Sequence, residues 1–190
     1  TPQPALDRLI NGWIPYQTIA CRIMGRCSIY QSGGASGFRD QLQDAVNIIL
    51  LDEAYAKTQI IECCRHQYEE GDVMHWWHTL DDETKGVRTH CSDDLLWLPW
   101  ALCEYVEKTG DYSLCDIPVQ WLSSPPLSFD EHDRYEKAVF SEISSEVIVH
   151  AQKALDLIVE RGTGEHGLLK MGNGDWNDGM DKVGVKGRGE

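Results

Sequence analysis

The stretch GNGDWNDGM, from Gly172 to Met180, sets two carboxylates, an amide and an indole between glycines, on a segment with neither helical nor strand period. Asp175 and Asp178 stand too close to Trp176, on too glycine-rich a loop, to be a routine solvated charge run. A carboxyl kept protonated near neutral pH by desolvation, up from its ordinary value of about 3.9, can hand a proton to a glycosidic oxygen. The plainer reading of the same residues is turn chemistry.

The other polar clusters each carry a functional and a structural reading. GGASGFRD, residues 33–40, has glycines suited to cradling a phosphate, yet it matches neither GxxxxGK[ST] nor GxGxxG and follows no strand. It reads as a turn before a helix, with Asp40 as the N-cap and Gln43 at capping-box spacing. SDDLLW, residues 92–97, resembles a magnesium-binding DDxxD helix but lacks the further acid, so Ser92 or Asp93 is expected to cap a helix. In HWWH, residues 75–78, an indole face suits stacking on a pyranose ring and suits a core position equally well. His75, His78, His90 and Cys91 are close enough in sequence to be weighed as zinc ligands. Zinc sites show tighter ligand pairing and no CxxC occurs, so no metal is expected. No GxSxG motif or Ser/His/Asp pairing supports acyl transfer. Carbohydrate is the ligand class that would use tryptophan, arginine, aspartate and asparagine together.

These residues need elements to position them. Apolar residues recur at helical spacing from about Ala5 to Met24, where Pro15 should break or kink the helix, and from about Gln41 to His66. A third helix is expected over Asp94 to Thr109, stopped by Gly110, and a fourth over about Asp130 to Arg161, ended by Gly162. No run alternates convincingly as a strand, so the expected class is all-α, with long aromatic and charged loops displayed on one rim.

Composition bounds the partners. The hydrophobic fraction of 42% and charged fraction of 25% are those of a globular protein. With 31 acidic against 17 basic residues the formal charge is −14, and no basic cluster offsets it, so neither nucleic acid nor anionic lipid is an expected partner. No stretch approaches the roughly 20 apolar residues that span a bilayer. Seven cysteines, an odd count that includes adjacent Cys63 and Cys64, fit reduced thiols in a cytoplasmic setting better than a disulfide framework.

Taken in order, YQTIACRIMGRCSIYQSGGASGFRDQLQD, GDVMHWW, GVRTHCSDDLLWLPW with YVEKTGD, and GNGDWNDGM with GRGE resemble glycoside hydrolase family 94 over essentially the whole chain. The resemblance implies an inverting β-glycoside phosphorylase and a fragment of an (α/α)6 barrel, truncated at its C-terminal end and without the family's N-terminal β-sandwich. An isolated part of such a barrel is expected to lack turnover, because the remainder of the catalytic domain is its necessary partner. The YQSGGA-GFRDQLQD wording is similar to β-1,2-oligoglucan phosphorylases and to the phosphorylase domain of cyclic β-1,2-glucan synthases. The alternatives are a cellobiose- or chitobiose-type phosphorylase, or a carbohydrate-binding helical module without catalysis.

Carried over by motif, the resemblance makes Asp178 the general acid. It sets Trp176 and Asp40 at the sugar subsite, with Arg39 and Arg26 nearby. Gly34 stands where cellobiose-type members have an arginine, so that sugar contact does not transfer. The family's phosphate-binding elements lie downstream of DWND, beyond this chain. The implied substrates are a β-glucan oligosaccharide and inorganic phosphate, with no cofactor, in a cytoplasmic enzyme or the cytoplasmic part of a membrane-bound synthase. One acid suffices in such a reaction. An inverting hydrolase needs a second carboxylate to activate water, whereas phosphate arrives already anionic.

Overall fold

A computed structural model describes residues 1–25, 34–79, 84–128, 130–172 and 189. Arg26, Trp176 and Asp178 lie outside the described residues.

The chain opens on a helical run, 4–23, in which α1 (Pro4–Arg8) and α2 (Ile14–Tyr16) alternate with wider π-helical turns over Leu9–Trp13 and Gln17–Ile23. Pro15 does not break it. Wider turns flank the proline on both sides, as is found where a helix must accommodate a missing N–H. Leu6, Leu9, Ile10 and Trp13 of this run are exposed.

The helix expected over about Gln41 to His66 is two helices, α3 (Phe38–Ile48) and α4 (Glu53–Arg65). Asp52 caps α4 by accepting the Tyr55 N–H at 2.9 Å. Leu50, which continues the apolar period in sequence, and Leu51 are exposed at the break. The third helix, α5 (Asp94–Thr109), has the expected bounds and ends on Gly110 at φ +71°, in the left-handed region that glycine enters without strain.

The expectation of an all-α fragment of an (α/α)6 barrel is overturned by two antiparallel sheets, which make the fold mixed α/β. One sheet runs in the order β1 (Ala35–Gly37), β2 (Met74–His78), β3 (Lys85–Thr89), β5 (Asp133–Lys137). The other pairs β4 (Pro118–Ser123) with β6 (Val139–Glu146). Half of the expected fourth helix is therefore strand, and helix begins only at α6 (Val147–Arg161). Val139, Ile143 and Val147 fit a four-residue helical spacing, but Val139 and Ile143 are exposed and their segment pairs with β4 instead. Aromatic, β-branched and serine residues gain little from helix, and a partner strand decides their state.

The core lies where α3, α4, α5 and α6 pack together against the buried faces of the sheets, around Phe38, Leu42, Ile60, Tyr68, Met74, Trp77, Leu98 and Tyr105. Beside it, Arg88 of β3 is fully buried and receives a bidentate partner in Asp72, with Nε–Oδ2 at 2.7 Å and Nη2–Oδ1 at 2.6 Å. Its guanidinium stacks over Tyr68 at 3.8 Å and also reaches Glu70 at 2.8 Å. Asp72 and Arg88 thus tie β3 to the turn before β2. Among the described residues no helix is long and apolar enough to cross a membrane, and Cys21, Cys64, Cys91, Cys103 and Cys115 are free thiols.

Candidate functional site

Four segments distant in sequence meet at the N-terminal ends of α3 and α5. Arg39, in the first turn of α3, is buried and forms an ion pair with Asp93, the residue preceding α5. Asp94, the first residue of α5, is buried and receives His75 of β2, with Nδ1–Oδ2 at 2.6 Å. The Cys91 thiol donates to Asp93 Oδ1 at 3.0 Å. Met171 and Gly172 are fastened beside them: the Ser92 N–H donates to the Met171 carbonyl at 3.1 Å. Gly172, at φ +70°, packs so tightly on the His90 carbonyl that a β-carbon there would lie 1.8 Å from its oxygen.

The two adjacent acids have opposite surroundings. Burial pushes the Asp93 carboxyl up, but hydrogen bonds from Cys91 and Arg39 more than offset it and hold the group below the usual carboxylate range. Asp94 is fully buried, and that burial lifts its carboxyl above the usual range against the pull of His75. Asp94 Oδ1 has no hydrogen-bond partner among the described residues. Burial alone would lower His75, and the neighbouring Asp94 outweighs it, leaving the imidazole raised. Cys91 is held as a thiol, its ionisation opposed by burial and by both carboxylates.

Asp40 is exposed and stands two residues inside α3, whose N-cap is Gly37, so it is not the cap that its spacing with Gln43 suggests. Its Oδ2 lies against Gly37, where a β-carbon would approach to 2.8 Å. Asp93 does occupy the N-cap position of α5, but its side chain makes no capping bond and is spent on Arg39 and Cys91. Arg39 is therefore brought to the cluster, while Asp40 flanks it on the sheet side. The roles of Arg26, Trp176 and Asp178 fall outside the described residues.

Of the residues weighed as metal ligands, His78 hydrogen bonds Tyr135 and His90 hydrogen bonds the Ser128 carbonyl, away from each other. His75 and Cys91 do come together, joined by Asp94, with one ligand atom each within 4.8 Å. These atoms are engaged with carboxylates, His75 with Asp94 and Cys91 with Asp93. The pairing of His75 with Asp94 was missed in sequence because β2 and α5 meet only through the fold. A histidine beside adjacent acids was the available signal.

The glycosyl hydrolase 94 superfamily catalytic-domain model matches residues 1–190. The chain is 42% identical over its whole length to the cyclic beta-(1,2)-glucan synthase NdvB of Rhizobium meliloti, of which it covers 7%. It is 29% identical over its whole length to the solabiose phosphorylase of Paenibacillus borealis, covering 21% of that protein. It is also 29% identical over 94% of its length to the N,N'-diacetylchitobiose phosphorylase of Vibrio proteolyticus, covering 23%. The chain thus spans less than a quarter of each of these relatives.

Proposed function

Since the chain belongs to the catalytic domain of the glycosyl hydrolase 94 superfamily, we propose that it is part of a larger catalytic domain that phosphorolyses β-glucosides with inversion. The substrate is a β-1,2-linked oligoglucan, a reading supported by the similarity to a cyclic β-1,2-glucan synthase and by the GFRDQLQD wording. Phosphate attacks the anomeric carbon as the glycosidic bond breaks. Asp178 gives its proton to the departing oxygen, and the product is α-glucose 1-phosphate. No protein base is needed, because the nucleophile is already anionic. Asp40 and Trp176 hold the sugar that is cleaved off, with Arg39 and Arg26 beside them. Asp93 holds Arg39 in place, supported by His75 and Asp94.

The observation that carries this reading is the junction of Met171 and Gly172 with the His90–Asp93 segment. It brings Met171 and Gly172, which precede the DWND residues in sequence, beside the Arg39 end of α3, and this supports the reading that Asp178 works next to Arg39 and Asp40.

In the full-length protein, Asp178→Asn should lower the phosphorolysis rate about 10²- to 10⁴-fold, as expected for loss of a general acid. KM for the oligoglucan should change little. A variant that keeps the native rate would remove Asp178 from the mechanism.

A further inference from the structure

The HWWH segment divides between the two readings its sequence allows. Trp77 is core, 1% exposed and stacked on His66 at 3.9 Å between ring centroids. Trp76 is not. A β-bulge between Met74 and Trp76 turns Met74 and Trp77 inward, with Trp76 and His78 on the opposite face of the sheet.

Directly opposed residues of antiparallel strands share a face. The register places Gly37 opposite Trp76, Trp76 opposite Val87, and Val87 opposite Tyr135, so one row crosses all four strands. Tyr135 ends that row and is 51% exposed. The rings of Trp76 and Tyr135 lie 5.7 Å apart, and His78 packs edge-on to both. The Tyr135 hydroxyl and His78 Nε2 are hydrogen bonded at 3.0 Å, which fixes both rings. The Lys85 ammonium lies 5.4 Å from the Tyr135 ring centroid. The row begins at Asp40: the β-carbon position of Gly37, which points to the Trp76 side, is the place where Asp40 Oδ2 sits at 2.8 Å.

We propose that Trp76 and Tyr135, with His78 and Lys85 at their edges, form a further sugar-binding subsite that continues from Asp40 and takes another unit of the oligosaccharide chain. The inference rests on the carbohydrate reading of the main site. A pyranose has an apolar C–H face and a polar hydroxyl rim. An aromatic row with imidazole and ammonium tips matches both, and rings already pinned lose little entropy on binding. The subsite adds chain-length preference and leaves the chemical step alone.

The experiment uses the full-length protein and β-1,2-linked gluco-oligosaccharides. Trp76→Ala and Tyr135→Ala should each weaken calorimetric binding of a pentasaccharide, measured without phosphate, by about tenfold. The same variants should lower kcat/KM for the pentasaccharide by a similar factor, leave kcat for the disaccharide near native, and regain most of the loss in Trp76→Phe. Tyr135 is half exposed, so its alanine variant folds even if that of Trp76 does not. Native pentasaccharide binding and an unchanged chain-length profile in Tyr135→Ala would overturn the subsite while leaving phosphorolysis intact. A wild-type protein that makes no glucose 1-phosphate, yet binds the pentasaccharide through Trp76 and Tyr135, would keep the subsite and remove the reaction.

Discussion

Asp93 and Asp94 are neighbours in sequence and opposites in chemistry, and that contrast organises the site at the scale of residues. Asp93 is held below the usual carboxylate range by Cys91 and Arg39, whereas Asp94 is lifted by burial and hydrogen bonds His75. The sign of the resulting pH effect follows from His75. Its folded-state value is raised, so its contribution to stability is complete below the unfolded value of about 6.5 and disappears as pH rises through the folded value. The raised Asp94 acts in the same direction, its contribution falling away above the ordinary carboxylate range. The melting temperature of the native protein should therefore exceed that of His75→Gln most below about pH 6.5, and the two should converge on alkalinisation. A difference that widens with rising pH would show that the pair does not hold the proton. Arg39 and Asp40 were legible as site candidates from GFRD, but their division of labour was not. Adjacent helix positions point in different directions, so one is buried in an ion pair and the other is exposed.

At the scale of elements, α5 was fully legible, because a periodic run closed by Lys108, Thr109 and Gly110 carries its own stop signal. The strands were not. β2 and β3 are short, with Trp77 inward and Trp76 outward, and their pairing depends on partners far away in sequence. Gly86 shows how tightly that pairing is built: a β-carbon there would lie 2.1 Å from the Trp76 carbonyl oxygen, inside the bulge that reorients Trp76. Asp72 and Arg88, from the GDVMHWW and GVRTHCSDD stretches, join β3 to the turn before β2. Removing one partner leaves the other charge buried without compensation. Arg88→Met should therefore cost about 3–5 kcal/mol in denaturant unfolding. A loss within error of zero would mean that solvent or neighbouring groups replace the guanidinium.

At the scale of the whole molecule, the chain is a small part of proteins like it, and its N-terminal helical run presents Leu6, Leu9, Ile10 and Trp13 to the outside. Such a contiguous apolar face fits a surface that meets further protein. The net charge of −14 disfavours anionic polymers as partners, while a neutral glucan pays no electrostatic penalty on approach. In the proposed reaction phosphate, and not water, displaces the sugar while one carboxylic acid assists. The direct measurement is NMR of the products formed by the full-length protein from β-1,2-oligoglucan and inorganic phosphate. The expected product is the α-anomer of glucose 1-phosphate, formed only when phosphate is present. Release of free glucose at a rate indifferent to phosphate, or an oligoglucan left intact, would contradict it.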